Sequence, residues 1–231
     1  MTRKQKPKKM KTETSQEPGP MIRLFVQAAA PIMRERFTDN RCLNSTRVCL
    51  EVMSAFNVRC KPASVQALAT NKIWVDKVNQ IGRLPTGDEM QAWIAEGAWS
   101  LAIDTDEKSS DPENNAWAGH LVAIVQDHLV DCSSLQMNRP HKSIALPEIF
   151  VGATTSKFLK GKDSLVFVSG VDGSFLSYRM RTDDDGIWWD LPGFAPSDHN
   201  LEVAADIANA MARVLGRKEM FGPRVHPCSP G

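Results

Sequence analysis

Three residues of this chain have the types and the order needed for acyl transfer through a thiol: Cys42, His120 and Asp131. The thiolate is the nucleophilic form of cysteine, and the positive end of a helix dipole stabilises it when the cysteine lies in the first helical turn. A histidine must then accept the thiol proton, and a carboxylate must fix the tautomer and orientation of that histidine. The pattern therefore predicts a cysteine nucleophile, a histidine base and an aspartate that orients the base.

The segment that begins at Cys42 has the clearest helical pattern in the chain. Apolar or small residues recur there at intervals of three or four, at Cys42, Thr46, Cys49, Met53 and Phe56. Asp39 and Asn40 are favourable N-cap residues just before this run. Asn57 is suited to end the helix in a left-handed conformation, and residues 58–69 are predicted to follow as a strand. Cys42 is thus expected in the first turn of a helix.

His120 and Asp131 belong to a predicted β-hairpin. Residues 120–125 and 129–131 are apolar runs that flank a short polar segment, residues 126–128. Pairing of the two runs places His120 opposite or diagonal to Asp131, within the reach of cross-strand side chains. We therefore expect the imidazole and the carboxylate to meet.

The remaining pattern predicts an α+β fold in which the helix that bears Cys42 packs on an antiparallel sheet that bears His120 and Asp131. The further predicted helices span residues 21–37, 87–99 and 201–215, and the further predicted strands span residues 164–169, 174–181 and 187–190. Pro31 is expected to kink or restart the first of these helices, Thr86 to cap the second and Gly216 to end the third.

The length of 231 residues and the ordinary hydrophobic (42%) and charged (24%) fractions favour one soluble globular domain. We assign that domain to residues 21–216, with an insertion at about residues 71–116 that includes a polar, acidic loop over residues 104–115. Residues 1–20 contain six Lys or Arg against two Glu and are predicted to form a disordered basic tail. Residues 217–231 are predicted to be a C-terminal tail.

Several classes of protein are disfavoured by composition. No stretch approaches the roughly 18 consecutive apolar residues of a transmembrane helix, so no membrane association is expected. The five cysteines form no paired framework, which favours reduced thiols and a cytoplasmic protein. Cys49, Cys60 and Cys132 are predicted to be core residues, and the absence of C-x-x-C spacing predicts neither a metal site nor a cofactor.

Three segments of the chain resemble the transglutaminase-like superfamily of papain-like cysteine enzymes, in which a helix begins at the cysteine and later strands bear histidine and aspartate. They are CLNSTRVCLEVMSAFNVRCKPASVQ, GHLVAIV and LVDCSS, within residues 38–135. More loosely, they are similar to uncharacterised bacterial and phage members. The resemblance implies a papain-like core with Cys42 as nucleophile, His120 as general base and Asp131 as its partner. The R-G-G-x-C signature of arylamine N-acetyltransferases is absent, since residues 38–42 are TDNRC.

Other side chains are candidates for substrate binding. Gln136 is a possible donor to a substrate oxygen, and Arg139 a possible clamp for an anion. Trp117 lies close to His120 in sequence, and Trp188 and Trp189 are further candidates for the wall of a groove.

Two functions are consistent with these residues. The first is a thiol enzyme that forms an acyl-enzyme on Cys42 from a peptide, amide or other acyl substrate and passes the acyl group to water or to an amine, with water as the default acceptor. The alternative is a non-catalytic binding module that retains the fold, with residues 1–20 contacting an acidic partner or nucleic acid. The distance between the Cys42 sulfur and the His120 ring separates the two.

Overall fold

A computed structural model of the chain describes residues 17–37, 41–103, 117, 119–139, 146–169, 174–182 and 186–218. The fold is α+β, as predicted. Its helices are α1 (Pro20–Arg36), α2 (Cys42–Ala55), α3 (Lys72–Ile81), α4 (Gly87–Ala95) and α5 (Asp198–Val214). Its strands are β1 (Cys60–Thr70), β2 (Ser100–Ile103), β3 (His120–Val125), β4 (His128–Asp131), β5 (Phe150–Ala153), β6 (Ser164–Ser169) and β7 (Ser174–Met180).

The seven strands form one antiparallel sheet that is nearly closed. Its order is β5-β4-β3-β1-β7-β6, and β2 pairs with the C-terminal part of β1. The two end strands approach each other, because the rings of Phe150 on β5 and Phe167 on β6 have centroids 4.8 Å apart. A Cβ atom on Gly152 of β5 would lie 2.2 Å from Cζ of Phe167, so the close approach requires glycine there.

Apolar side chains cover both faces of the central strands. On β3, Val122 and Ile124 belong to the cluster inside the curved sheet, whereas Leu121, Ala123 and Val125 belong to the cluster beneath α1, α2 and α5. Burial on both faces explains why the strand is an unbroken apolar run rather than an alternating one.

Helix α2 matches its predicted buried face but not its predicted cap. Cys42, Thr46, Cys49 and Met53 are all buried, and Asn57 adopts the left-handed conformation with φ 56°. The N-cap residue is Arg41, and its side chain makes no capping hydrogen bond. The predicted capping by Asp39 or Asn40 was therefore wrong, and both of these residues lie outside the described part of the chain.

Helix α1 runs continuously through Pro31, so the predicted restart of the helix at Pro31 was wrong. Pro31 is exposed, while Ala29 and Met33 on the opposite side are buried in the core. The proline ring thus faces solvent, where loss of one backbone hydrogen bond is compensated by water, and packing of the other face holds the helix together.

Part of the predicted insertion belongs to the sheet, because β2 pairs with β1. Helix α4 begins as predicted, with a capping box between Thr86 and Glu89. Helix α3 was missed, although Trp74, Val78 and Ile81 recur at helical spacing; only Trp74 of its ten residues is buried. The acidic loop predicted over residues 104–115 lies outside the described residues.

The C-terminal part contains β6, β7 and α5 close to their predicted positions. The strand predicted over residues 187–190 was wrong, because Ile187–Asp190 forms a 3-10 turn after Gly186, whose φ is 74°. Gly216 follows α5 with φ 65°, as expected of a stop residue. Among the helices that the structure describes, none combines the length and the apolar content needed to cross a bilayer.

Candidate active site

Cys42 is the first residue of α2 and lies where that helix meets the start of β3. Its side chain is 8% exposed, and its Sγ atom lies 3.9 Å from the carbonyl oxygen of Gly119, which directly precedes His120. The first turn of α2 contains no acidic residue. The Cys42 thiol therefore lies at the positive end of the helix dipole, with no carboxylate in that turn to offset it.

The β3–β4 hairpin brings His120 and Asp131 into contact. Its two-residue turn begins at Gln126, whose φ is 55°, and its register pairs Ala123 with Val130, which makes His120 diagonal to Asp131. His120 Nε2 lies 2.7 Å from Asp131 Oδ2. Both side chains are fully buried, so this hydrogen bond is protected from competition by water.

Asp131 accepts hydrogen bonds at both carboxylate oxygens. Besides His120, Oδ2 accepts from the Tyr178 hydroxyl at 2.7 Å. Oδ1 accepts from the backbone N–H of Ser133 at 2.9 Å and from the Ser133 hydroxyl at 3.2 Å. These donors fix the orientation of the carboxylate and hence of the imidazole.

Tyr178 was not among the residues singled out from the sequence. It lies on β7, 47 positions after Asp131, and its side chain is fully buried inside the curved sheet. No local spacing links a residue of β7 to the β3–β4 hairpin. The available signal was that Tyr178 is the only tyrosine of the chain and lies within a predicted strand.

The imidazole of His120 and the carboxylate of Asp131 each stabilise the charged form of the other. Burial by itself raises the pKa of Asp131, but the charge and hydrogen bond of His120, together with the Tyr178 and Ser133 donors, lower this pKa overall. Burial by itself lowers the pKa of His120, but Asp131 and the nearby Cys42 thiol outweigh it and raise the pKa to about 10. Burial and then Asp131 raise the pKa of Tyr178 well above its usual value, so its hydroxyl remains a donor.

Gln136 contacts the second ring nitrogen of His120. It belongs to the 3-10 turn Ser134–Met137, and its amide group hydrogen-bonds Nδ1. Because Asp131 engages Nε2, Nδ1 is the nitrogen left to face Cys42. The amide nitrogen of Gln136 suits a neutral imidazole at this point, and a half-turn of the amide presents its oxygen to an imidazolium.

Two other candidates for substrate binding, Trp117 and Arg139, contact parts of the protein other than the three triad side chains. Trp117 packs against the same core cluster as Cys42. The Arg139 guanidinium donates to the backbone carbonyls of Gln136 (3.0 Å) and Asn138 (2.7 Å), which stabilises the turn after β4.

Trp188 and Trp189 form an aromatic cluster with Phe194, at centroid distances of 4.9 and 5.2 Å. This cluster abuts the first turn of α2, because a Cβ atom on Gly193 would lie 3.2 Å from the Leu43 side chain. The aromatic cluster therefore supports the helix start that bears Cys42.

A pocket of about 70 Å³ lies beside the triad. It is bounded by the end of α1, the start of α2 and the loop after β4, with apolar walls from Met33, Phe37 and Leu135. Neither Cys42 nor His120 lines it, but Gln136 belongs to both the pocket and the His120 contact. Its polar lining residues are Arg34, Arg41, Ser45, Ser133, Gln136 and Glu148.

The other described cysteines lie in the protein interior. Cys49 and Cys132 are buried and Cys60 is half-buried, and all three are free thiols, as predicted. Burial, followed by interaction with Cys132, raises the pKa of the Cys49 thiol well above its usual value. This makes Cys49 a poor nucleophile. Within the described residues, no group of three or more His, Cys, Asp or Glu side chains is arranged to hold a metal ion.

Known proteins provide no relative from which a function could be transferred. No family model, no curated protein and no solved structure matches the chain. Its function must therefore be inferred from its own residues and contacts.

Proposed function

We propose that this protein is a cysteine-nucleophile acyl-transfer enzyme with a transglutaminase-like (papain-like) core, in which Cys42, His120 and Asp131 form the catalytic triad. One observation carries the proposal. The fully buried His120–Asp131 pair, with 2.7 Å between Nε2 and Oδ2, lies beside the first residue of α2, and the Cys42 thiol is close enough to raise the pKa of His120. A histidine held by a carboxylate next to a helix-terminal thiol is the arrangement that activates cysteine.

In the acylation step, the thiol proton of Cys42 resides on His120, and the thiolate attacks the carbonyl carbon of the substrate. The new S–C bond forms as the carbonyl π electrons move to oxygen. The oxyanion returns its electrons, the C–N or C–O bond to the leaving group breaks, and His120 protonates that group. Asp131 stabilises the imidazolium throughout, because its pKa is lowered and it stays ionised.

In the deacylation step, His120 takes a proton from water or from an amine, which attacks the thioester and releases an acid or an amide. The Cys42 thiolate leaves, and the resting ion pair is restored. Water is the default acceptor because it needs no second binding site. A peptide, an amide or another acyl compound is the corresponding donor.

The oxyanion needs hydrogen-bond donors during both steps. The backbone N–H groups at the start of α2 are suited to this task, because the first N–H groups of a helix have no partner within the helix. Gln136 is the side-chain candidate. Since its amide now contacts His120 Nδ1, it must release that nitrogen when the substrate carbonyl enters, and it then donates to the oxyanion.

Alkylation of the thiols by iodoacetamide, mapped by mass spectrometry between pH 5 and pH 9, tests the proposal. We expect Cys42 to react first and to remain reactive below the pH at which ordinary thiols ionise, because His120 stabilises its thiolate. The half-buried Cys60 is the internal comparison. Reaction of Cys42 no faster than Cys60, with the pH dependence of an ordinary thiol, would refute the nucleophile and favour the non-catalytic binding module.

An activated thioester then tests catalysis itself. Wild-type protein is expected to acquire an acyl group on Cys42, and a fluorescent primary amine added afterwards shows whether the acyl group goes to water or to the amine. The Cys42→Ser variant should acquire none. Equal total acylation of the two proteins, with the acyl groups on lysines or other cysteines and none on Cys42, contradicts an acyl-enzyme.

A further inference from the structure

The pocket beside the triad contains one charged side chain without a partner among the described residues. Three of its lining residues are charged: Arg34, Arg41 and Glu148. Arg34 and Glu148 form an ion pair through Arg34 Nε and Glu148 Oε1, so their charges largely cancel inside the pocket. The Arg41 guanidinium makes no ion pair or hydrogen bond in the parts of the chain that the structure describes, and the described lining residues together carry a net positive charge.

The neutral polar groups of the pocket are engaged within the protein. The Ser45 hydroxyl donates to the carbonyl oxygen of Arg41 at 2.8 Å, and the Ser133 hydroxyl donates to Asp131. The Gln136 amide contacts His120. Among these lining groups, the guanidinium of Arg41 is therefore the strong donor that remains available to a ligand.

Arg41 is also next to the proposed nucleophile in the chain. It directly precedes Cys42, and Ser45, which also lines the pocket, follows Cys42 by one turn of α2. A group bound in the pocket is therefore a short acyl chain away from the thiol. A volume of about 70 Å³ has room for a group of several heavy atoms such as a carboxylate with a short chain.

We propose that this pocket selects acyl donors in which a carboxylate lies a few bonds from the reacting carbonyl, with Arg41 as the residue that binds the carboxylate. This inference rests on the proposed function, since it names the substrate class of the same thiol. The planar guanidinium binds a carboxylate through two parallel hydrogen bonds. Glu148 does not repel the substrate, because Arg34 neutralises it.

Iodoacetate and iodoacetamide are matched probes for this selection. In both reactions the Cys42 thiolate forms an S–C bond and displaces iodide, but iodoacetate delivers a carboxymethyl group and iodoacetamide its neutral counterpart. The measured quantity is the ratio of the two rate constants at Cys42. The imidazolium of His120 attracts iodoacetate in every variant, so the effect of Arg41 is the change in this ratio between variants.

We expect Arg41→Gln to lower the ratio about fivefold, the size of one unit charge acting at about 4 Å in a water-exposed site. Arg41→Lys should restore most of the ratio. Arg59→Gln is the control, because it removes the same charge at the opposite end of α2, about 20 Å away, and it should leave the ratio unchanged. At about 1 M salt the difference between wild type and Arg41→Gln should largely disappear.

The outcomes separate the two proposals. An equal ratio in wild type and Arg41→Gln, with Cys42 still the most reactive thiol toward iodoacetamide, overturns the selection of anionic donors and leaves the nucleophile in place. An equal fall of the rate ratio in Arg41→Gln and Arg59→Gln also overturns the selection of anionic donors, because the overall charge of the protein would then explain the effect. Slow reaction of wild-type Cys42 with iodoacetamide would refute both the assignment of Cys42 as nucleophile and the inference about Arg41.

Discussion

Replacing Tyr178 by phenylalanine removes one hydroxyl from the donors of Asp131 and keeps the aromatic ring. The hydroxyl lies 2.7 Å from Asp131 Oδ2, and both residues are fully buried. The ring packs against Phe150, with centroids 5.8 Å apart, and this contact does not involve the hydroxyl. The variant therefore tests the hydrogen bond and not the packing of the core.

The expected loss of stability follows from the charge of the acceptor. A hydrogen bond to an ionised group contributes about 1.5–3 kcal/mol, compared with about 1 kcal/mol for a neutral pair. Water cannot replace the lost donor at a site with no exposed surface. We therefore expect Tyr178→Phe to lower the free energy of unfolding at pH 7 by about 1.5–3 kcal/mol, and the Tm by roughly 3–12 °C.

The loss should depend on pH in a direction set by Asp131. Folding lowers the pKa of this carboxyl, and Tyr178 contributes to the lowering. Such a group stabilises the fold above its unfolded pKa of about 3.9 and loses this contribution as the pH falls through the lower, folded pKa. The difference between wild type and Tyr178→Phe should therefore be complete at pH 7 and should decline below about pH 4.

Urea unfolding of both proteins from pH 3 to pH 8 measures this difference. Phe158→Leu is the control, since Phe158 is fully buried in the same cluster as Tyr178 and is uncharged. It should cost stability by a similar amount at every pH. A loss below about 0.5 kcal/mol in Tyr178→Phe, or a loss that does not decline in acid, would refute the role assigned to the hydroxyl.

Three further predictions concern the triad, the closure of the sheet and the tail. Asp131→Asn should slow acylation of Cys42 by an activated thioester on the order of ten-thousand-fold, because an amide cannot stabilise the imidazolium. Asp127→Asn is the control and should leave the acylation rate unchanged. Similar acylation rates in the two variants would contradict the triad. Gly152→Ala should lower the free energy of unfolding in urea by about 1–3 kcal/mol, because the added methyl group overlaps a phenylalanine ring of β6. Gly87→Ala, with open space around its Cα, should cost almost nothing. Deletion of residues 1–16 should change the Tm by less than about 2 °C, and a larger fall would show that this segment packs on the domain.

The elements that present the triad were predictable because each has a local signal. The buried face of α2 repeats every three or four residues from Cys42 onwards, so the helix and its buried face could be predicted from the sequence. The β3–β4 hairpin was predicted from its two apolar runs, although His128, predicted in the turn, belongs to β4; the short turn in either case brings His120 within reach of Asp131. In both cases the partners are close in sequence, and backbone geometry decides the contact.

Packing overrode local preference in several other elements. The helix-breaking tendency of Pro31 had no effect, because α1 keeps its buried face against the core and its proline toward solvent. Residues 187–190 have the composition of a strand but form a 3-10 turn, in which Trp188 packs against Phe194. Sequence propensity is a weak term compared with the burial of large side chains.

Local sequence patterns were sufficient to predict the α+β class, the helix that begins at Cys42 and the hairpin that joins His120 to Asp131. The near closure of the sheet, and the contact of Tyr178 with Asp131 across 47 residues, became known only from the folded structure. The pairing of Arg34 with Glu148, which leaves the Arg41 guanidinium unpaired in the described structure, joins residues 114 positions apart. Such contacts depend on how the elements pack in three dimensions, so the periodicity of residues along the chain does not predict them.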